Sequence, residues 1–227
     1  MSVPRIYALP VAAMAVIVLA SNVAVQYPLF AEIGGLQLAD VLTYGAFTYP
    51  FAFLVTDLTN RRHGPRVARR VVYAGFTAAV ICSLLVPPLL FDLGLLGFAT
   101  TAERLFRIAV ASGSAFLAAQ LLDVAVFNRL RQDRWWRAPA LSSLSGSVLD
   151  TITFFSIAFA PAFVFLGAND GFALESAPLL GLFHAETPRW ISWAIGDFSV
   201  KLLISVFALI PYRVIMQRFM PYRPQPA

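Results

Sequence analysis

The sequence predicts an all-α integral membrane protein with six transmembrane helices and both termini in the cytoplasm. Three observations lead to this fold class. The composition is 59% hydrophobic and 13% charged, with a mean hydropathy of +0.74. Six apolar segments follow one another along the chain, and arginines are concentrated in alternate connections between them. The segments are apolar on all sides and lack the alternation of β-barrel strands, so we expect helices.

The six apolar segments show no composition break between them, so we expect a single transmembrane domain over residues 1–227. They comprise residues 7–25, 42–58, 71–91, 106–127, 139–166 and 190–210. A helix needs about 20 residues to cross the hydrocarbon core. Five segments have this length or nearly so, whereas residues 42–58 form a short segment with Pro50 near its middle. These segments leave too little polar surface for a water-soluble fold.

The distribution of arginine indicates which helix ends face the cytoplasm. The basic residues between segments two and three, between segments four and five, and after segment six are Arg61, Arg62, Arg66, Arg69, Arg70, Arg129, Arg131, Arg134, Arg137, Arg213, Arg218 and Arg223. The other connections hold mainly acidic residues such as Glu32 and Asp40. Basic residues concentrate on the cytoplasmic side of membrane proteins. This rule accounts for the net charge of +5, and no nucleic-acid partner is expected.

The first segment has an alternative interpretation as a cleaved signal peptide. Arg5 precedes its apolar run, and residues 18–20 resemble a small-residue cleavage site. Five remaining spans would still obey the charge rule. We favour a retained first helix because residues 7–25 exceed the usual length of a signal-peptide core.

Charged side chains inside or at the ends of the apolar segments are the main functional candidates. They are Asp57, Asp123, Asp150, Asp197 and Lys201. A charge at the bilayer centre costs about 2.5–3.5 kcal/mol on insertion scales, and such residues usually face a bundle interior or a wet cavity. The pattern favours a protein that handles a polar solute. The alternative is a structural or assembly protein in which the charges only specify helix packing.

Asp150 and Lys201 are predicted to meet near the middle of the membrane. Asp150 lies eleven residues after Pro139, or about 16 Å into a helix at 1.5 Å per residue. Lys201 lies eleven residues after Trp190 and enters from the opposite side. Two pairings remain open, Asp150 with Lys201 across helices and Asp197 with Lys201 at a spacing of four. Midplane ionisable groups that line a cavity are typical of transporters.

The fourth segment presents polar and aromatic side chains on one helical face, namely Phe116, Gln120, Asp123 and Phe127. A carboxylate and an amide between two phenylalanines suit a flat heteroaromatic ligand. The alternatives are that Asp123 pairs with cytoplasmic arginines, and that Asp57 pairs with Arg61 one turn later. The candidate substrate site also includes Phe53 and the amides Asn22 and Gln26 near the outer end of the first helix.

No enzyme motif or metal site is predicted. The two histidines, His63 and His184, fall on opposite sides of the predicted topology, which argues against imidazole catalysis or a two-histidine metal site. The sequence holds neither a nucleophile elbow nor a phosphate-binding glycine loop. Cys82 is the only cysteine and cannot form an intramolecular disulfide. We therefore expect no catalytic residues and no cofactor.

Several short stretches give the chain a resemblance to a known family. They are Ser21-Asn22 with Gln26 and Pro28, Gly45-Ala46-Phe47, Pro50-Phe51, Thr56-Asp57-Leu58-Thr59, Ala68-Arg69-Arg70, Gln120-Leu121-Leu122-Asp123-Val124, Val126-Phe127-Asn128-Arg129-Leu130-Arg131, Ala138-Pro139, Gly146, Asp150-Thr151, Asp197 and Lys201. At these residues the chain resembles the queuosine precursor transporter family, which is also named for vitamin uptake. The stretches span nearly the whole chain, and residues 123–131 are the most specific.

The resemblance implies uptake of 7-cyano-7-deazaguanine and 7-aminomethyl-7-deazaguanine across a bacterial inner membrane by a multi-pass protein. Its partners would be this small molecule and the lipid bilayer, with a homo-oligomer left open. The residue chemistry agrees, since a guanine-like edge offers N–H donors to a carboxylate and a carbonyl to an amide. This chain has Ser147 where the family usually has an amide. The alternative function is a transporter, or an energy-coupling-factor-type substrate-binding subunit, for another small heteroaromatic such as a vitamin.

Overall fold

A computed structural model describes residues 5–219, so Arg223 of the predicted cytoplasmic cluster lies outside the described residues. The helices are α1 (Arg5–Ala24), α2 (Gly45–Thr48), α3 (Phe51–His63), α4 (Pro65–Asp92), α5 (Ala102–Leu130), α6 (Arg137–Phe159), α7 (Gly171–Leu174) and α8 (Arg189–Phe219). Within these residues, five helices are long and apolar enough to cross a membrane: α1, α4, α5, α6 and α8. The structure therefore agrees with an all-α membrane protein.

The second predicted segment differs from the structure. Residues 42–58 were expected to form one helix, but the chain forms the short α2, a break at Tyr49 and Pro50, and then α3. Pro50 has no amide hydrogen, and the amides of Ala52 and Phe53 bond to carbonyls three residues back, those of Tyr49 and Pro50. The helix is thus interrupted in its middle. Neither piece is among the five membrane-spanning candidates.

The fifth predicted segment is too long. A helix was expected over residues 139–166, but α6 ends at Phe159 and residues Pro161–Leu166 form a 3-10 helix. The ring of Pro161 disfavours helical geometry at the preceding residue, and Ala160 is extended with φ −67° and ψ 138°. The other boundaries also shift. For example, α4 begins at Pro65 directly after Gly64, whose φ of +81° only glycine adopts readily.

Two small antiparallel sheets lie in the connections. Strand β1 (Glu32–Ile33) pairs with β2 (Leu36–Gln37), and β3 (Ser176–Pro178) pairs with β4 (Glu186–Pro188). Gly34 and Gly35 form the first turn with φ values of +59° and +85°. These hairpins were not predicted, so the all-α description applies to the spans and not to every connection.

Contacts between helix ends define two ends of the bundle. At one end, Arg61 Nη1 donates to the carbonyl of Arg131 at 2.6 Å, and Arg61 Nε donates to the Tyr212 hydroxyl at 3.0 Å. Arg70 Nη1 donates to the Tyr7 hydroxyl at 2.5 Å, which brings the start of α1 to the same end. We call this the arginine-rich end.

The opposite end holds the acidic connections. Trp193 near the start of α8 donates from Nε1 to the carbonyl of Asp40 at 2.8 Å. The Tyr27 hydroxyl, just after α1, donates to the carbonyl of Leu95, just after α4, at 3.4 Å. The first residues of α1 and the last turns of α8 therefore share the arginine-rich end.

The outer surface of the bundle is apolar. Leu9 and Val16 on α1 are 76% and 66% exposed. On α8, exposed apolar side chains recur three or four residues apart, at Leu203, Phe207, Ile210 and Val214. Soluble proteins rarely expose so continuous an apolar surface, whereas lipid tails require one.

Helices α5 and α6 pack closely along a line of small residues. Ala111, Ala115 and Ala119 on α5 are all buried, and small residues at a spacing of four let helix backbones approach closely. A Cβ atom added to Gly146 of α6 would lie 3.2 Å from the carbonyl oxygen of Ala119 and 2.5 Å from Phe53 Cε1. Glycine is therefore required at this position.

Candidate functional site

A cavity of about 480 Å³ opens toward the opposite end of the bundle, between α1, α2, α5, α6 and α8. Its lining includes residues of the connections at that end, such as Asp40, Thr100 and Arg189. Six of the predicted site residues line it: Asn22, Gln26, Phe116, Asp150, Asp197 and Lys201. The structure thus brings residues from four helices to one space.

Asp150, Asp197 and Lys201 form a hydrogen-bonded group that we call the charged trio. Lys201 Nζ lies 2.6 Å from Asp150 Oδ2 and 2.5 Å from Asp197 Oδ2, so both predicted pairings are present. Thr151 Oγ1 donates to Asp197 Oδ2 at 3.2 Å. With its groups ionised, the trio carries one net negative charge. Asp197 is the most exposed member, at 18% of its side chain, and is best placed to meet a ligand.

Tyr49 contacts the charged trio and was not among the predicted site residues. Its hydroxyl donates to Asp150 Oδ1 at 2.9 Å, and Lys201 Nζ lies 5.3 Å from the centre of its ring. The residue sits directly before Pro50, in the break between α2 and α3. An aromatic residue next to a proline inside an apolar segment was the available sequence signal. Interrupted helices often supply the binding residues of transporters.

The amides of α1 stand at the wall of the cavity. Asn22 Nδ2 donates to the carbonyl of Val18 at 2.9 Å, and Asn22 Oδ1 accepts from Ser83 Oγ at 3.0 Å. Gln26 Nε2 donates to the carbonyl of Asn22 at 3.3 Å. The donor and acceptor bonds fix the orientation of the Asn22 amide. Gln26 keeps its carbonyl oxygen available for a polar group in the cavity.

Aromatic rings form another wall of the cavity. Phe154 and Phe155 of α6 meet edge to face with centroids 5.1 Å apart, and Phe159 lies 5.9 Å from Phe155. Trp193 of α8 continues the series at 5.4 Å from Phe159. All four line the cavity. Flat ligands are held well by such rings, because stacked and edge contacts add to the burial of apolar area.

Three rings close the cavity on the side of the arginine-rich end. Tyr49 contacts Phe53 and Phe116 edge to face, each at a centroid distance of 6.2 Å. We call Tyr49, Phe53 and Phe116 the aromatic layer. Phe53 fills the space that Gly146 leaves free, and Phe116 does the same at Gly75. Tyr49 and Phe116 line the cavity, whereas Phe53 lies beyond its floor.

Three of the other predicted residues, Asp57, Gln120 and Asp123, lie below this layer, whereas Phe53 is part of it. The face of α5 that carries Gln120, Asp123 and Phe127 is buried, as predicted, but these residues do not line the cavity among those described. Asp57 is also below the layer, where Ser142 and Ser143 donate to its carboxylate at 3.1 and 3.3 Å. The structure therefore separates Phe53, Asp57, Gln120 and Asp123 from the other six. Their part in substrate binding stays a prediction.

Both ion-pair alternatives for the buried aspartates are wrong within residues 5–219. Arg61 is bonded to Tyr212 and to the Arg131 carbonyl rather than to Asp57. No group in the described chain donates to either carboxylate oxygen of Asp123. The arginines therefore do not neutralise these carboxyl groups.

Arg107 is a buried residue that the sequence placed at a helix start and did not single out. It is 1% exposed. Its guanidinium donates to the carbonyls of Ile157 and Ala160 at 2.9 and 2.7 Å, at the end of α6. It also donates to the carbonyl of Gly167 and to Asn169 Oδ1, each at 3.1 Å. Arg107 thus joins α5 to the end of α6 and to the following connection. In the described part of the chain, no group of three potential metal-binding side chains forms.

Together, the apolar helices and the largely apolar cavity with its charged trio define a solute transporter of the helical membrane class. A family described as "Putative vitamin uptake transporter" matches residues 43–216 of the chain. The chain belongs to this family and is a multi-pass membrane protein.

Curated relatives cover most of the chain. The "Queuosine precursor transporter" of Escherichia coli (strain K12) is 39% identical over 199 residues, which cover 86% of this chain and 79% of the relative. The "Probable queuosine precursor transporter" of Haemophilus influenzae is 38% identical over 179 residues, covering 77% and 68%. The protein of the same description from Bacillus subtilis (strain 168) is 27% identical over 191 residues, covering 79% and 73%. No solved structure gave a significant match.

Proposed function

We propose that this protein takes up queuosine precursors, 7-cyano-7-deazaguanine and 7-aminomethyl-7-deazaguanine, across a bacterial inner membrane. The observation that carries the proposal is the cavity of about 480 Å³ with the charged trio at its inner part. The names of the relatives support the substrate. The protein acts as a carrier of its solute and not as an enzyme.

The chemistry of the cavity supports a guanine-like base. Adjacent N–H groups on the base edge donate to Asp197, whose side chain is the most exposed of the trio. Asn22 or Gln26 bonds the base carbonyl, and the rings of Phe154 and Phe155 cover the flat faces. Unmatched polar groups are costly in a buried site, so analogues that lack the donors are rejected. The net negative charge of the trio favours the cationic aminomethyl form.

The substrate enters from the open side of the cavity and leaves past the aromatic layer. Phe53 belongs to this layer, and the predicted residues Asp57, Gln120 and Asp123 reach the substrate only after the layer opens, so we place these three at a later stage of transport. Opening the layer requires movement at Tyr49, which lies in the break between α2 and α3.

The topology belongs to the same proposal. The chain forms one domain over residues 1–227 that crosses the membrane six times, with α2 and α3 together as the second crossing and both termini in the cytoplasm. A reporter fused after Ala227 should be active only as a cytoplasmic type. A periplasmically active fusion at that point contradicts the six-span arrangement.

The function is tested by precursor uptake and by recovery of queuosine in tRNA, in a strain that lacks its importer and cannot make the precursor. The chain should restore tRNA queuosine at low external precursor. Asp197→Asn should raise the concentration for half-maximal uptake about tenfold to a hundredfold, since a charge-assisted bond is lost. Asp133→Asn, at an exposed carboxylate of the arginine-rich end, is the matched control. No rescue by the well-inserted wild-type chain contradicts the proposal.

The family description favours one second candidate, uptake of another small heteroaromatic such as a vitamin. The same cavity would hold such a ring. Competition of labelled precursor uptake by a panel of heteroaromatic vitamins separates the two. Uptake in cells that lack all energy-coupling-factor ATPases separates an independent transporter from a substrate-binding subunit.

A further inference from the structure

Two carboxyl groups lie side by side below the aromatic layer, one on α3 and one on α5. Thr56 Oγ1 donates to Gln120 Oε1 at 2.6 Å, and Asn60 Nδ2 donates to a backbone carbonyl of α5 at 3.1 Å. These two bonds hold α3 against α5 on both sides of Asp57 and of Asp123, so the two carboxyl groups lie in the same part of the contact between these helices. We call these two residues the carboxyl pair. They are 2% and 0% exposed.

The carboxyl pair has few hydrogen-bond donors. Asp57 accepts from Ser142 and Ser143. Neither oxygen of Asp123 has a donor among the residues that the structure describes. Gln120, one turn before Asp123 on the same buried face, has an amide nitrogen that is also without a partner there and is 0% exposed. The site therefore retains unused hydrogen-bonding capacity on two side chains.

No described cation balances the carboxyl pair. Arg61 of α3 is bonded to the Tyr212 hydroxyl of α8 and to the Arg131 carbonyl. Lys201 of α8 is held by Asp150 and Asp197 in the charged trio. The buried face of α4 carries apolar side chains and Ser83, and α6 contributes Ser142 and Ser143 next to the pair, while Asp150 of α6 is held in the charged trio. Tyr212 lines the same void as Asp57, and its hydroxyl accepts from Arg61.

Two adjacent carboxylates cannot both stay ionised in an apolar interior without a cation, because each charge is poorly solvated and the two repel. One added proton relieves both costs. It forms an O–H bond on one carboxyl group, which can donate to the other, and no electrons are transferred. When the pair meets cytoplasmic water, the O–H bond breaks and the proton leaves.

A small void lies between Asp57 of the carboxyl pair and Tyr212, whose hydroxyl is bonded to Arg61 at the arginine-rich end. It has a volume of about 10 Å³ and is lined by Asp57, Ser143, Ser205 and Tyr212. This is roughly the volume that one water molecule needs. Polar groups on α3, α6 and α8 thus mark a route for a proton between the pair and the side where the substrate is released.

From this arrangement, and resting on the proposed function, we infer that the Asp57–Asp123 carboxyl pair binds a proton whose inward movement drives substrate uptake. The charged trio holds the substrate, and the carboxyl pair holds the proton. The aromatic layer lies between the two sites. Loading of both sites and opening of this layer are therefore steps of one transport cycle.

The experiment uses the full chain in proteoliposomes with labelled 7-cyano-7-deazaguanine. With acid outside and no sodium gradient, wild type should accumulate the label, by up to about a hundredfold for one proton at a gradient of two pH units. A pH dye inside the vesicles should report acidification when substrate is added outside. Counterflow exchange, which needs no net proton movement, is measured in parallel. Asp57→Asn and Asp123→Asn should each lower the ratio of accumulation to exchange at least tenfold.

Asp92→Asn is the matched control, because Asp92 is an exposed carboxylate at the far end of α4. It should leave accumulation and exchange unchanged. Exchange by wild type without acid-driven accumulation or lumen acidification overturns the inference and leaves the proposed function intact. Absence of exchange in wild type contradicts the proposed function itself. Accumulation driven by sodium, or Asp123→Asn changing only the concentration dependence of exchange, also overturns the inference. The dye measurement on the wild-type protein tests proton movement directly, so the inference can be refuted even when a variant does not fold.

Discussion

Replacing Lys201 with methionine should destabilise the folded protein strongly, because two carboxyl groups then share a buried site without a cation. In the wild-type protein, the ammonium lies 2.6 Å from Asp150 and 2.5 Å from Asp197. Removing one partner of a buried ion pair costs about 3–5 kcal/mol. For a chain of this size each kcal/mol shifts Tm by about 2–4 °C, so we expect Tm to fall by about 6–20 °C.

Double variants identify the source of this loss. Adding Asp197→Asn or Asp150→Asn to Lys201→Met removes one of the uncompensated charges. Each double variant should therefore have a higher Tm than the single Lys201→Met variant. Asp150 retains the Tyr49 hydroxyl as a donor, and Asp197 retains Thr151. Both remaining carboxyl groups are thus partly satisfied without the lysine.

The assay is the apparent Tm of detergent-solubilised protein, followed as the monodisperse fraction that survives heating. Arg134→Met is the control, since Arg134 is exposed at the arginine-rich end, and its Tm should match that of the wild type. The reasoning is refuted if Lys201→Met lies within about 2 °C of the wild type, a shift worth less than roughly 1 kcal/mol. It is refuted equally if neither double variant exceeds the single one.

Two further predictions concern packing around the site. Arg107→Ala should loosen the connection after α6, because five backbone and side-chain acceptors lose their buried donor. Limited proteolysis between residues 160 and 170 should be faster, and unchanged cleavage would contradict this. Gly146→Ala should cost about 1–3 kcal/mol, since the new Cβ would lie 2.5 Å from Phe53 Cε1. Gly97→Ala, with open space around its Cα, is the control and should leave Tm unchanged.

The sequence was sufficient to predict the charged trio. Asp150 and Lys201 each lie at a helical depth that can be counted from a segment boundary, and Asp197 lies one turn before Lys201. Few charged residues lie at this depth in the apolar segments, so Lys201 had only two candidate partners, Asp150 and Asp197. The structure contains both of the pairings that remained open.

The division of the site into two parts could not be predicted in the same way. Periodicity placed Phe116, Gln120 and Asp123 on one helical face, and the structure has that face buried. Periodicity does not tell where along the face a cavity ends. That depends on Tyr49 and Phe53, which another helix brings across the space, and on Gly146, which admits the Phe53 ring.

Arg107 shows a related limit. Arg107 is the second residue of the predicted segment 106–127, and nothing in the periodicity of that segment indicates which acceptors it meets. Its burial depends on α6 ending at Phe159, so that the carbonyls of Ile157 and Ala160 face the guanidinium. The helix end itself was misplaced at residue 166, because the apolar composition continues beyond Pro161. The segment boundary was set by apolar composition alone, which does not take into account that a proline usually ends a helix.

The close packing of α5 against α6 has a mechanical consequence. Where Ala119 and Gly146 meet, the backbones of the two helices are in close contact. No long side chain lies between them that could change rotamer and let one helix slide past the other. Helices α5 and α6 are therefore expected to move as one rigid body. The slowest backbone hydrogen exchange in the protein is expected where these two helices are in contact. Motion that exposes alternate sides is then expected of α3, at Tyr49 and Pro50, and of α8, whose movement against α6 requires the Lys201–Asp150 bond to open. The transported molecule would then bind between a stationary pair of helices, α5 and α6, and a mobile pair, α3 and α8.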